Sequence, residues 1–316
     1  HERDEFGRLA ASTFLHVRKG LHRLPLVDLW RIDILKWLNS HYSNFNWELN
    51  CYKNCLTIDV DSAYAYLYKG WYRTLGGFAK DFLNLKFKNS LHRLLTLLRL
   101  RSDDFDTYKI IQQLEKYKNL EVTYFFLLAD FKGEDVNISH RSWGMKRLIE
   151  KLSITNKIGI HPGIYSHEEF EKLAIEVSRL EKLLRKKVKD SRQHYLKFSF
   201  PEDAHRLNKL EIETDYSCGF FDESGYKNGT TLPVRFFDLS SNTVLQLRIQ
   251  SFFAMDAALI RYMQWNKSEI IQHLREERLK CEARGLPYIL LWHNESFSNK
   301  FVWKGWGNVR EEVYSN

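Results

Sequence analysis

The chain has 316 residues, 44% of them hydrophobic, 15% aromatic and 28% charged, which supplies a packed core and excludes a disordered or low-complexity chain. The formal net charge is +8 with a sequence pI near 9.1, which permits an acidic partner such as nucleic acid, phospholipid headgroups or an anionic glycan. No apolar run reaches the roughly 18 residues a spanning helix needs, and the densest basic run, Lys182 to Lys189, falls in a helical stretch where a solvated face explains it better than a nucleic-acid footprint.

The first residue is His rather than Met, so a fragment or processed chain is expected, with an upstream domain or targeting segment missing. Residues 1–50 read as linker and lead-in helix: Leu26, Leu29, Ile32, Leu35 and Leu38 recur at helical spacing after Pro25. CLTIDVD, residues 55–61, is a short β-branched apolar strand ending in acids. Residues 74–118 are helical, with a strongly apolar stretch over 91–100. EVTYFFLLAD, residues 121–130, is the next buried strand, followed by a helix over 142–153 and the short strand KIGIHP, residues 157–162. Ser166 is expected to cap a long helix from about His167 to Val188, with Glu168 and Glu169 in its first turn and Lys186 and Lys187 in its last. HYLKFSF, residues 194–200, and EIETDYS, residues 211–217, read as strands separated by a helical turn after Pro201. LPVRFF and VLQLRI flank a turn at Ser240 to Asn242. A long helix is expected from near Asp256 towards Arg284, stopped at Gly285, and PYILLWHN, residues 287–294, is the last buried strand.

Strands that alternate with helices, and that are apolar throughout, predict parallel βα units with both sheet faces covered, as in a barrel or a doubly wound sheet. In such folds the carboxyl ends of the strands converge on one ligand-binding face. Asp59 and Asp61 close the first strand, His161 the third, Asp215 the fifth and His293 the last, while Arg192 and His194 open the fourth.

Residues two apart on a strand point to the same side, so Asp59 and Asp61 face one pocket. Two carboxylates there resist joint ionisation unless a cation neutralises them. A divalent metal does so, one Asp serving as ligand and the other as general base. A strand-end Asp capping a following turn is equally compatible with the spacing. His161 precedes a Pro162–Gly163 bend that exposes its ring, and two imidazoles with a carboxylate form a recurring ligand set for Zn, Fe or Mn. For His194 the other reading is a structural histidine bonded to a carbonyl. His293 suits a general acid near neutral pH or a satisfied core histidine. The aromatic loop Tyr64, Tyr66, Tyr68, Trp71 and Tyr72 suits sugar stacking or packing on the lead-in helices. Cys51 and Cys55 are too lone a pair for a zinc knuckle, and four scattered cysteines fit a reducing compartment.

With these segments in order, residues 50–310 resemble the polysaccharide deacetylase (NodB-homology, carbohydrate esterase family 4) superfamily. TIDVD resembles its first motif, implying Asp59 as general base and Asp61 as metal ligand. KIGIHPGIYS resembles the second, implying His161 as a ligand. The second motif's other histidine falls at Tyr165, so His194 is the replacement ligand and His167 the alternative. SRQHYLKFSFP resembles the third motif, with Arg192 orienting Asp59; ETDYS the fourth, with Asp215 behind the site; LLWHN the fifth, with His293 as general acid. The strings IDVDSAYAY, GIHPGIYS, SRQHYLKF, DYSCGF and LWHNES look like a Bacteroidetes-type branch in which an N-terminal domain precedes the deacetylase domain.

The resemblance implies an irregular (β/α) barrel of fewer than eight strands over 51–316, after the lead-in of 1–50. It implies a divalent metal, zinc first with Co, Ni, Mn or Fe as alternatives, and removal of N-acetyl or O-acetyl groups from a cell-envelope or other polysaccharide. The competing reading is an inactive deacetylase-like domain that binds a glycan or a partner protein; a nucleic-acid partner ranks last. Location is open between bacterial cytoplasm and envelope.

Overall fold

The structure is a computed structural model, described for residues 3–47, 51–117, 119–307 and 309–315. The expected boundary between residues 50 and 51 adjoins residues 48–50, which lie outside the described residues.

Among the described residues, nine strands form a single curled, open sheet. They are β1 (Asn54–Val60), β2 (Leu120–Leu127), β3 (Lys157–His161), β4 (Asp190–Ser191), β5 (Thr214–Cys218), β6 (Val234–Asp238), β7 (Thr243–Ser251), β8 (Ala254–Met255) and β9 (Tyr288–His293). Their order is β6-β7-β5-β4-β3-β2-β1-β9-β8, parallel throughout except for the β6–β7 hairpin. The irregular barrel is as expected. Its count exceeds the expected fewer than eight because β4 and β8 are two-residue pieces and β6 is an antiparallel addition.

The helices are α1 (Leu15–Arg18), α2 (Leu26–His41), α3 (Trp71–Leu83), α4 (Phe87–Leu97), α5 (Tyr108–Leu114), α6 (Trp143–Leu152), α7 (Phe170–Leu184), α8 (Glu202–Lys209), α9 (Lys267–Ala283) and α10 (Val309–Tyr314). α6 shows why they form. Ser142 accepts a hydrogen bond from Met145 N as N-cap, and Met145, Leu148, Ile149 and Leu152 are buried at the spacing of one helix face. Each such side chain stabilises by roughly 1.5–3 kcal/mol, so truncating the fully buried Met145, Ile149 or Leu152 to Ala would damage this contact. β1, β2 and β9 are buried along almost their whole length without alternation, as strands covered on both faces must be.

Register positions the site. Asp59 lies level with His293 on β9 and with Phe125 on β2, and Phe125 pairs Gly159 on β3. Leu127 pairs His161, so His161 stands two residues higher, at the level Asp61 reaches beyond the end of β1. Gly159 is required there by close approach: a Cβ would fall 2.5 Å from the Phe125 ring and 2.8 Å from the Asp190 carbonyl.

Three expected elements differ. HYLKFSF is not a strand: Asp190–Ser191 is the strand, and His194–Leu196 is a tight turn with Tyr195 and Leu196 left-handed at φ 59° and 56°. Arg192 and His194 therefore follow the fourth strand rather than open it. The alternation of Leu196, Phe198 and Phe200 imitates a strand, but tertiary contacts override that pattern. The helix after His161 begins at Phe170 and ends at Leu184, with no side-chain cap; the Ser166 hydroxyl donates to Glu176 instead. The helix expected from Asp256 is broken. A π-helical turn spans Ala258–Tyr262, and α9 starts afresh under an Asn266–Glu269 capping box. No helix among the described residues is long and apolar enough to cross a membrane.

Candidate metal centre

The centre starts from a buried cation. Arg192 is fully buried. Its Nη1 donates to Asp59 Oδ1 at 2.9 Å, Nη2 to Thr57 Oγ1 at 2.8 Å and Nε to the Tyr216 carbonyl at 3.0 Å. The Phe125 ring lies 4.7 Å from the guanidinium. Thr57 passes its own proton to the Leu290 carbonyl at 2.7 Å. A buried guanidinium is tolerated only when paired and bonded this fully, and here the pairing fixes one oxygen of Asp59 and leaves Oδ2 towards the pocket, 3.7 Å from His161 Nε2.

Each of three histidines has Nδ1 committed to an acceptor. His161 Nδ1 donates to the Arg192 carbonyl at 2.5 Å. His194 Nδ1 is 2.8 Å from Asp135 Oδ1. His293 Nδ1 is 2.8 Å from Asp256 Oδ1, while Asp256 Oδ2 accepts the His293 backbone N–H at 2.8 Å. A ring held by Nδ1 presents Nε2 in a fixed direction and tautomer. All three Nε2 atoms face Asp61, at 3.2 Å for His161, 3.6 Å for His194 and 3.8 Å for His293.

The residues fit a divalent cation. Asp61 Oδ1 is buried and has no hydrogen-bond donor of its own among the described residues, with the His161 Nε2 standing 3.2 Å from it. The candidate ligand atoms of Asp61, His161 and His194 lie within 4.8 Å of one another, and two imidazoles with one carboxylate is a common set for catalytic first-row metals. The field favours positive charge. Burial works against an ionised Asp61, yet His194, His161 and His293 hold its carboxyl well below the usual range. Burial likewise opposes a protonated His194, but Asp61 and Asp135 push it up to about 9. His293 is driven well above its ordinary value by Asp256 and Asp61, against its burial.

Of the residues expected from the sequence, Asp59, Asp61, His161, Arg192, His194 and His293 come together. Asp215 does not reach the pocket: its carboxylate takes the Ser191 hydroxyl at 2.6 Å and the Ser217 N–H at 2.8 Å, bracing β4 from behind. His167 is also elsewhere, 2.8 Å from Asp203. Asp135 and Asp256, which orient two of the histidines, were not anticipated. Both sit outside the strands, Asp135 in a loop and Asp256 just beyond β8, where acids serve many purposes. The aromatic loop divides: Tyr64 and Tyr66 are buried, while Trp71 and Tyr72 are exposed and stacked on each other.

A cavity of about 620 Å³ opens on these groups. Its wall includes a segment from ahead of the barrel. Phe6 stacks on Tyr195 with ring centroids 4.2 Å apart, Arg8 donates to the Tyr195 carbonyl at 3.0 Å, and Arg8 is held by Asp4 at 2.6 Å. Lys69 also lines the cavity; burial, with Arg73 nearby, lowers its amine to about 8.

A protein termed a polysaccharide deacetylase from Mycobacterium smegmatis superposes on this chain with a TM-score of 0.50 at 12% identity, over 85% of each chain. The fold is that of the polysaccharide deacetylases. A CE4-family pseudoenzyme from Bacillus anthracis aligns at a TM-score of 0.38 and 12% identity, over 84% of this chain and 62% of its own. A mutant pseudoenzyme with restored activity aligns at 0.38 and 13%, over 84% and 64%. No family model and no curated protein matches the sequence. In this deacetylase-fold chain, Asp59 and Asp61 project from the end of β1 towards the same cavity.

Proposed function

We propose that this deacetylase-like domain is a metal-dependent hydrolase that removes N-acetyl or O-acetyl groups from a polysaccharide. The observation that carries the reading is the buried Asp61 Oδ1 without a hydrogen-bond donor of its own, with three oriented Nε2 atoms turned on the Asp61 carboxylate. Asp61, His161 and His194 would hold the metal, zinc first by its preference for nitrogen and oxygen donors in such sets. When bound it would supply Lewis-acid polarisation of the acyl carbonyl.

The chain's own groups then divide the proton work. Asp59, pinned through Oδ1 by Arg192, presents Oδ2 as the acceptor of a proton from the attacking water. Pinning by the guanidinium keeps that carboxylate correctly aimed. His293, aligned by Asp256, carries a proton at Nε2 and delivers it to the departing amine or alcohol. The Asp256 carboxylate keeps the imidazolium available, as an orienting acid does for a catalytic histidine.

Elemental analysis of the purified protein, with acetate release from N-acetylglucosamine oligomers, tests the reading. About one metal per chain is expected, lost in Asp61→Ala and His161→Ala. A folded wild type that takes up no zinc, or the two variants retaining full stoichiometry, would sink it and favour the glycan-binding alternative.

A further inference from the structure

A second concavity, of about 330 Å³, lies between the loop after β1, the loop before α5 and helix α6. Its base is aromatic. Tyr64 and Tyr108 are buried beneath it, with Tyr64 edge-on to Tyr68 at 5.0 Å between ring centroids. Tyr68 lies directly on the bare Cα of Gly144, where a Cβ would fall 2.3 Å from its ring. Beside it stands the exposed indole of Trp143.

The rim is cationic: Arg99, Lys109, Arg147 and Lys151, against a single carboxylate, Asp106. Two of the four are positioned. Arg99 Nη2 donates to the Tyr68 hydroxyl at 2.8 Å, and Arg147 sits 5.0 Å over the Trp143 ring. None of the four makes an ion pair among the described residues, although other cations of this chain find acids readily, as Arg93 does with Asp81 and Arg101 with Asp104. Four like charges gathered on one concave face around a single carboxylate, Asp106, still repel each other, and an anion placed among them relieves that repulsion.

We infer that this concavity binds a negatively charged sugar unit. The cations take its carboxylate or phosphate, and the Trp143 and Tyr68 rings take its apolar face. Its position favours a saccharide over other anions. The two loops that wall it also wall the main cavity: Ser62 and Phe105 line one side, Tyr64 and Asp106 the other. Asn294 clamps them together through the Ser62 and Phe105 carbonyls at 3.1 and 3.2 Å. The choice of sugar as ligand rests on the deacetylase reading; the anion preference does not.

The test is direct binding by calorimetry, without turnover, of three probes: a hyaluronan hexasaccharide, which alternates glucuronate with N-acetylglucosamine, neutral chitohexaose, and a single-stranded oligonucleotide. The wild type is expected to bind the hyaluronan hexasaccharide about tenfold more tightly than chitohexaose, and R99Q/R147Q to abolish that preference. Trp143→Ala is expected to weaken both sugars several-fold. Equal affinity for the two sugars, no binding of either, or a preference that survives R99Q/R147Q overturns the proposal, as does an oligonucleotide that binds more tightly than the hyaluronan hexasaccharide. Acetate release from chitohexaose by a protein with no anion preference would sink this inference and leave the deacetylase reading standing; anion preference without any acetate release would do the reverse.

Discussion

The two halves of the centre are built by different means. Asp59, Asp61 and His293 stand at the ends of β1 and β9, six or seven residues long and paired in continuous parallel register. Arg192 and His194 come from the turn that follows the two-residue β4, where β3 and β4 share one register pair, while His161 closes β3, itself laddered to β2. What the ladder does for the first half, individual hydrogen bonds do for the second: Arg192 N to the Ile160 carbonyl, His194 N to the Pro162 carbonyl, Gln193 N to Ser217 Oγ and Ser191 Oγ to Asp215. A ladder distributes its strength over many equal bonds. A pinned turn concentrates it in few, so single substitutions should act far more strongly on the second half.

Arg192→Ala attacks a fully buried side chain that ties the halves together. It leaves Asp59 buried without its partner, and a loss of about 3–5 kcal/mol is expected, read as a fall in the urea midpoint. A loss under about 1 kcal/mol would show that the halves are not coupled through it. The next largest effect is one of pH. Glu176 accepts the Gly163 N–H at 2.8 Å and the Ser166 hydroxyl, and its burial raises the carboxyl to about 7. The folded chain therefore keeps this proton from about pH 4.5 to about 7 while the unfolded chain has lost it. Its stabilisation is complete below that window and disappears as pH rises through it, by roughly 3 kcal/mol at most. Glu176→Gln should flatten the slope of unfolding free energy between pH 5 and 8; an unchanged slope would assign the effect to other acids. The smallest effect is the most selective. Asp135→Ala frees the His194 ring and should lower zinc affinity ten- to a hundredfold in chelator competition, about 1.4–2.7 kcal/mol. Asp256→Ala, in the ladder half, should leave zinc affinity nearly intact and slow acetate release. Equal losses of zinc from both variants would erase the contrast.

That contrast also explains what could be seen in the sequence. Apolar runs with a polar last residue announced β1, β3 and β9, and with them Asp59, Asp61, His161 and His293. The turn half left weaker traces. His194 and Arg192 stand out as residue types, but their place after β4 does not, because HYLKFSF carries a strand-like pattern and nothing local declares the left-handed Tyr195 and Leu196. Ser166 had the form of a helix cap, yet its hydroxyl serves a buried glutamate ten residues on. Asp135 and Asp256 were invisible as functional groups, since each acquires its role only when folding brings it under a distant histidine.

The wall formed by Phe6 and Arg8 belongs to none of the strands or helices of the barrel. It touches the centre through the stack on Tyr195 and the hydrogen bond to its carbonyl, and is secured further along by the Ala11 N–H on Asp222. Such a strip can be exchanged by grafting without rebuilding the barrel beneath it. On the proposed function, exchanging this strip would reshape the wall of the cavity while leaving Asp59, Asp61 and the three histidines in their elements.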